Sequence, residues 1–378
     1  MSLSKMAKQN CTPAAYYRGG TSRALIFQAK DLPKNRGVWP QVFLGAIGSP
    51  DSNGRQLDGL GGGISSLSKI CVVSPSMRPG IHVDFMFVQV GVKNADVDYS
   101  GSCGNMTSAI GPFAIDSGLI RVAECATMAT VRIYNTNTDK IIDSTFPVSE
   151  GEAVAQGQFA IDGVSGTGSR IQLDFLSPAG SKTGKLLPTG NIVDTFDGIK
   201  TCCIDVGNPS VFAAAEDLGI HGAMLPDETQ KHTNLLERLE AIRQQAANAM
   251  GIAKSRATVP ASIPKICFVS LPSTHALLSG ELLDRSSVDV VVRAISVGQP
   301  HRALPITTGL SVSVAARIPG SIVHACIPGR SAKKEELTIG HPSGRLVVGA
   351  KFNNRGDVEK ATVFRTARRL MEGKVFWK

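Results

Sequence analysis

The chain is 378 residues long and carries 40 Lys and Arg against 31 Asp and Glu, a net charge of +9, with 42% apolar residues and only 5% aromatics. That length calls for two domains of a soluble globular protein, since its apolar stretches, such as 288–295, are cut by charges well before bilayer-spanning length and residues 1–10 lack the apolar region of a signal peptide. The basic residues are scattered apart from Arg365, Arg368 and Arg369, with no zinc finger or RNA-binding aromatic signature, so the charge excess points to a small polyanionic ligand rather than nucleic acid.

Residues 15–27 read as strand, glycine turn and strand, with Arg18-Gly19-Gly20-Thr21-Ser22 at the turn. A helix-and-loop segment follows, then a Gly/Ser-rich loop that ends at Lys69. Its Gly61-Gly62-Gly63 lacks the spacing and the following helix of a phosphate-binding loop. Strands are predicted at 70–73, 81–90, 129–134 and 144–147, with further strands in 153–175. Among them lies Tyr99-Ser100-Gly101-Ser102-Cys103-Gly104-Asn105-Met106, running into a helical pattern of Met106, Ala109, Ile110, Phe113 and Ala114 that stops at Gly118. A thiol in a glycine-flanked turn at a helix mouth meets unpaired N–H groups and the positive end of the helix dipole, which favour a thiolate and can hold a carboxylate.

Residues 178–191 form a Gly, Ser, Lys and Pro-rich loop at the expected boundary between domains 1–190 and 191–378, with the final segment free to return to the first. Beyond it come a strand at 199–206, the Asn208-Pro209-Ser210 turn, a helix over 233–253 with the stripe Leu235, Leu236, Leu239 and Ile242, and strands at 266–271 and 288–295. A weak internal duplication sets Thr308-Gly309, before a helix ending at Pro319-Gly320, against Cys103-Gly104. It places two helix N-termini at one cleft suited to a carboxylate-rich ligand. The eight cysteines include no CxxC pair, and Cys71 and Cys267 sit in apolar strands, so the expectation is a reducing compartment without disulfides, the cytoplasm first, with mitochondria left open. The histidines show no metal-ligand spacing.

Taken in order, Arg18-Gly19-Gly20-Thr21-Ser22, Gly62-Gly63-Ile64-Ser65-Ser66-Leu67-Ser68-Lys69, Ser102-Cys103-Gly104-Asn105-Met106, Asp205-Val206-Gly207-Asn208-Pro209-Ser210 and Gly340-His341-Pro342-Ser343-Gly344 resemble the signature blocks of the PrpF (methylaconitate isomerase) family. The resemblance implies an α+β diaminopimelate-epimerase-like fold: two pseudo-symmetric domains, each a mixed sheet wrapped around a central helix, with the active site between them. It implies a cofactor- and metal-independent isomerase of unsaturated tricarboxylic acids such as aconitate or 2-methylaconitate. It further implies Cys103 and Lys69 as the catalytic pair, with Ser22, Ser66, Gly104, Asn105, Met106 and Ser108 binding substrate. Arg23 and Leu67 stand where the family often has Lys and Thr, which bears on the substrate accepted.

Moving or flipping the C=C bond of such an acid requires a proton to leave an allylic carbon and the carbanion to delocalise into a carboxylate. Thr308, opposite Cys103 in the duplication, is too weak an acid to match a thiol, so the expected site is asymmetric. Asn208, Thr308, His341 and Ser343 are candidates for substrate contact, against the plainer reading of turn residues; His301 and Arg302 are left open. Competing readings are an amino- or hydroxy-acid racemase and a non-catalytic accessory protein of an aconitase-like dehydratase. The expected partner is a small polycarboxylate, with no nucleic acid or membrane, and a homodimer is left open.

Overall fold

A computed structural model describes residues 9–329 and 336–378. Its main strands form two arrays with one connectivity. The first runs Asn10–Gly19, Ser22–Gln28, Lys69–Pro75, Val83–Val90, Met128–Asn135, Lys140–Ser149 and Ile171–Leu176. The second runs Ile199–Val206, Asn208–Ala214, Lys265–Ser270, Val290–Ser296, Glu336–His341, Gly344–Phe352 and Val358–Arg365. Successive neighbours pair antiparallel, parallel, antiparallel, parallel, antiparallel, antiparallel in the first array. The second repeats that order.

Each parallel step needs a crossover, and helices supply it. In the first array these are α1 (Trp39–Ile47) and α2 (Gly104–Asp116). In the second, α3 (Pro226–Lys231) and α4 (Leu235–Ala249) make the first crossover, and α5 (Ile306–Ala315) and α6 (Ile322–Ala325) the second. The arrays join edge to edge through Ile171–Leu176 and Val358–Arg365. The last strand, Ala367–Trp377, then leaves the second array to pair with Asn10–Gly19 of the first.

α2 and α5 are the central helices, enclosed almost all round. Both carry hydroxyl residues in that apolar setting, and these bond back to carbonyls one turn earlier: Thr107 and Ser108 to Cys103 and Asn105, Ser311 and Ser313 to Thr307 and Leu310. The helix expected over 233–253 is shorter, because Met250 is followed by Gly251 at φ +74°. Residues 153–175 are strand only at their two ends. The stretch between crosses itself, and a Cβ on Gly157 would come within 2.6 Å of the Gly168 carbonyl. One expectation needs correction: α5 starts at Ile306, so Thr308 lies inside it and not at its mouth. Pro305, its φ fixed by the ring and its backbone extended, is the residue before the helix and takes the position that Cys103 holds before α2.

Candidate active site

The N-termini of α2 and α5 meet. A Cβ on Gly104 would come within 2.7 Å of Ile306 Cβ, so only glycine lets the two mouths approach this closely. Between them lies a cavity of about 30 Å³, enough for a few waters, lined by Ser22, Lys69, Gln89, Cys103, Asn105, Ser262, Lys265, Ser296, His301 and the first turn of α5. Among the described residues no carboxylate side chain lines it.

Cys103 is placed by contacts from both arrays. On one side, the Gly19-Gly20 turn presses onto α2. Gly20 has φ +50°, and a Cβ there would overlap the Asn105 side chain. That approach lets Asn105 bond Thr21 through both ends of its amide, accepting from Thr21 N at 3.4 Å and donating to Thr21 Oγ1 at 3.2 Å. On the other side, the second array grips the loop before the thiol. Buried Asn208 accepts from Ser102 N (3.1 Å) and donates to Ser102 O (2.7 Å) and to Thr307 Oγ1 (3.3 Å). Ser262 donates its N–H to Asp98 and shares a 3.0 Å contact with Ser100 Oγ.

Two lysines reach the same cavity from opposite arrays. Lys69 opens the strand Lys69–Pro75, donates to Gln89 Oε1 at 2.5 Å and lies 5.1 Å from the centre of the Phe87 ring. Gln89 is its register partner and itself donates to the Ser65 and Ser68 carbonyls of the loop before Lys69. Lys265 opens the equivalent strand of the second array and donates to Ser262 O (3.0 Å) and Ser296 Oγ (3.3 Å). Burial pulls the Lys69 ammonium below its usual range, against the opposing pull of Cys103 and Cys71. Burial, reinforced by the Lys69 charge, brings Lys265 down to about 8. His301 is brought down to about 4 by burial and then by both lysines, so it is neutral at pH 7. Its Nδ1 accepts from Ala303 N at 3.0 Å, which leaves Nε2–H as the donor. The arrangement is a thiol at two helix mouths, flanked by two buried ammonium groups and a neutral imidazole.

Of the residues singled out from the sequence, Ser22, Lys69, Cys103, Gly104 and Asn105 line this cavity. The others do not. Ser66 lies in the short turn before Lys69, Met106 and Ser108 are buried inside α2, and Thr308 is buried inside α5. Asn208 stands behind the Cys103 loop as its clamp. His341 is buried at a strand end, its pKa well below the usual imidazole range because of burial and then the neighbouring Arg365 charge. Ser343 donates to Arg302 O and lines a separate, open groove. These side chains sit in core or turn positions because helical and strand periodicity turns them away from the cavity. Lys265 was missed, although a signal for it exists: Lys265-Ile266-Cys267 repeats Lys69-Ile70-Cys71 at the same place in the duplicated array.

Residues 9–378 match the family model described as PrpF protein. The chain belongs to the PrpF family. It is 39% identical to 2-methyl-aconitate isomerase of Shewanella oneidensis, with 95% of each chain covered. It is 37% identical to 3-methylitaconate isomerase of Eubacterium barkeri, with 98% of each covered. Among solved structures, methylitaconate-delta-isomerase superposes with a TM-score of 0.78 at 36% identity, over 98% of this chain and 96% of that one. A hydroxyproline epimerase from Agrobacterium vitis superposes at 0.57 with 10% identity, covering 98% and 94%, a likeness of fold alone. This PrpF chain is therefore an isomerase on the α+β epimerase-like fold. Among the described residues no helix is long and apolar enough to cross a membrane.

Proposed function

We propose that this PrpF protein isomerises an unsaturated tricarboxylic acid of the aconitate type, including 2-methyl or longer alkyl analogues, without a cofactor. The observation that carries the reading is the lining of the cavity: two ammonium groups, two helix N-termini and no carboxylate around one thiol. Such a site favours several negative charges at once. It also disfavours a free amino acid, whose α-ammonium would find no acidic partner. In the proposed reaction the Cys103 thiolate and Lys69 form the acid–base pair. One takes a proton from the allylic carbon, leaving a carbanion whose charge spreads through the C=C bond into a carboxylate. The ammonium and N–H groups stabilise that charge, and the proton returns to another carbon, or to the same carbon after rotation. The cavity, at about 30 Å³, is smaller than such an acid, so binding requires it to widen.

The test incubates purified protein in D2O with cis-aconitate, trans-aconitate and their 2-methyl analogues, read by NMR. Isomerisation with deuterium entering an allylic position is expected. Cys103→Ser and Lys69→Ala should each reduce turnover by roughly 10²–10⁴-fold with the fold intact. Near-wild-type turnover in either variant removes that residue from the pair, and an inert wild type favours an accessory role.

A further inference from the structure

We infer that Lys265 is a second substrate-contacting cation of this site, holding from the second array a carboxylate other than the one activated beside Cys103 and Lys69. The inference rests on the polycarboxylate reading above and extends it to a residue outside the signature blocks.

The fold itself makes the pairing. In each array the third strand begins with a lysine and runs parallel to the second strand. In each, the lysine donates to the polar side chain opposite it on the fourth strand: Lys69 to its register partner Gln89, and Lys265 to Ser296, one step along from the Ile266–Ile295 pair. The two ammonium groups therefore sit at equivalent points and face one cavity. Lys265 is 8% exposed, and its two hydrogen bonds occupy two of its three N–H donors, so the third is left at the cavity wall.

Among the described residues no carboxylate lines the cavity to pair with it. The acid acting on it through space is Asp98, whose oxygens already accept from Ser100 N, Ser100 Oγ and Ser262 N. Its other charged or ionisable neighbours are Lys69, Cys103 and Cys267. Two buried like charges facing each other are unfavourable until anions come between them. A substrate with two or more carboxylates does this with one molecule, each array supplying one cation. The hydrogen bond from Lys265 to Ser262 O also ties this cation to the residue that supports the Cys103 loop through Ser100 and Asp98.

The experiment measures binding of trans-aconitate and itaconate by calorimetry to wild type, Lys265→Met and Lys265→Arg, alongside turnover. Loss of one charge-assisted contact should weaken whichever acid the wild type binds by roughly 10- to 100-fold in Lys265→Met. Lys265→Arg, which keeps the charge but cannot release a proton, should recover most of that binding. If the Met variant does not fold, Lys265→Gln, which loses the charge but keeps a donor for Ser262 O, gives the same comparison. Equal affinity in wild type and Lys265→Met overturns the inference. So does binding that is unchanged while turnover is lost and not recovered by Arg, which makes Lys265 a proton carrier instead. A wild type that binds neither acid sinks the polycarboxylate reading and this inference together, a result separable from the first two.

Discussion

Asn208 gives the sharpest test of how the site is assembled, because the second array uses it to hold the loop of the first. Its amide is fully buried and satisfies both backbone groups of Ser102, the residue directly before Cys103. Asn208→Ala removes both partners and leaves the Ser102 N–H and C=O buried without water. At about 1–3 kcal/mol for each of the two orphaned groups, the loss of stability is roughly 2–6 kcal/mol. The loop then re-seeks partners, and a shift of the thiol by ~1 Å is enough to cost about 10²-fold in rate. The assay is kcat and KM on folded protein without denaturant, together with the urea midpoint. A positioning role predicts that kcat falls about 100-fold while KM stays within a few-fold of wild type. A raised KM at unchanged kcat would return Asn208 to the role of a carboxylate contact, and unchanged kcat with unchanged KM would refute the clamp.

Two further predictions concern the neighbouring elements. Gly20→Ala forces a Cβ into the Asn105 side chain at a φ of +50°, so it should lower stability by more than about 1 kcal/mol and reduce turnover as the Thr21–Asn105 bonds break. An unchanged urea midpoint would show that the turn yields freely. For His301, the folded value of about 4 lies below the ordinary 6.5. Stability tied to its neutral form is thus fully present above pH 6.5 and is lost as pH falls towards 4, because the unfolded chain takes up the proton first. Urea midpoints across that window should fall more steeply for wild type than for His301→Phe, and parallel profiles would disprove it.

Much of the fold was legible because periodicity survives in the chain. The strand at 199–206 and the helix mouth at Cys103-Gly104 fall where pattern and glycine place them. The duplication was legible only in outline. It is written mainly in the orientation of strand pairs, which leaves little residue signature beyond Lys69-Ile70-Cys71 and Lys265-Ile266-Cys267, and the alignment of Thr308-Gly309 with Cys103-Gly104 was drawn to a shared glycine. The structure replaces it with Pro305, which removes a second thiol from the site more completely than a threonine would. Cys103 was readable from its glycine-flanked turn at a helix mouth, whereas Lys69, Ser22 and Asn105 came from the resemblance of their blocks to the PrpF family. Lys265 carried a signal only through the repeat of Lys69-Ile70-Cys71 as Lys265-Ile266-Cys267, since a lysine before an apolar strand otherwise looks the same whether it faces solvent or a buried cavity.

The twin lysines also bear on the stability of the empty protein. Lys265 is held at about 8 in the fold against 10.5 for an ordinary lysine, the main cause being burial and the next the charge of Lys69. A depressed folded value means that stability is lost as pH falls from about 10.5 through 8, so at pH 7 the ammonium counts fully against the fold, by on the order of 3 kcal/mol. A bound polyanion offsets this, and so does removing the charge. Lys265→Met should therefore raise the urea midpoint of the free protein at pH 7, with an advantage that shrinks as pH approaches 10.5, while weakening the stabilisation that trans-aconitate confers. If the variant instead unfolds at lower urea than wild type, Lys265 supports the fold through Ser262 and Ser296, and the cost assigned here to a buried, unpaired cation is wrong.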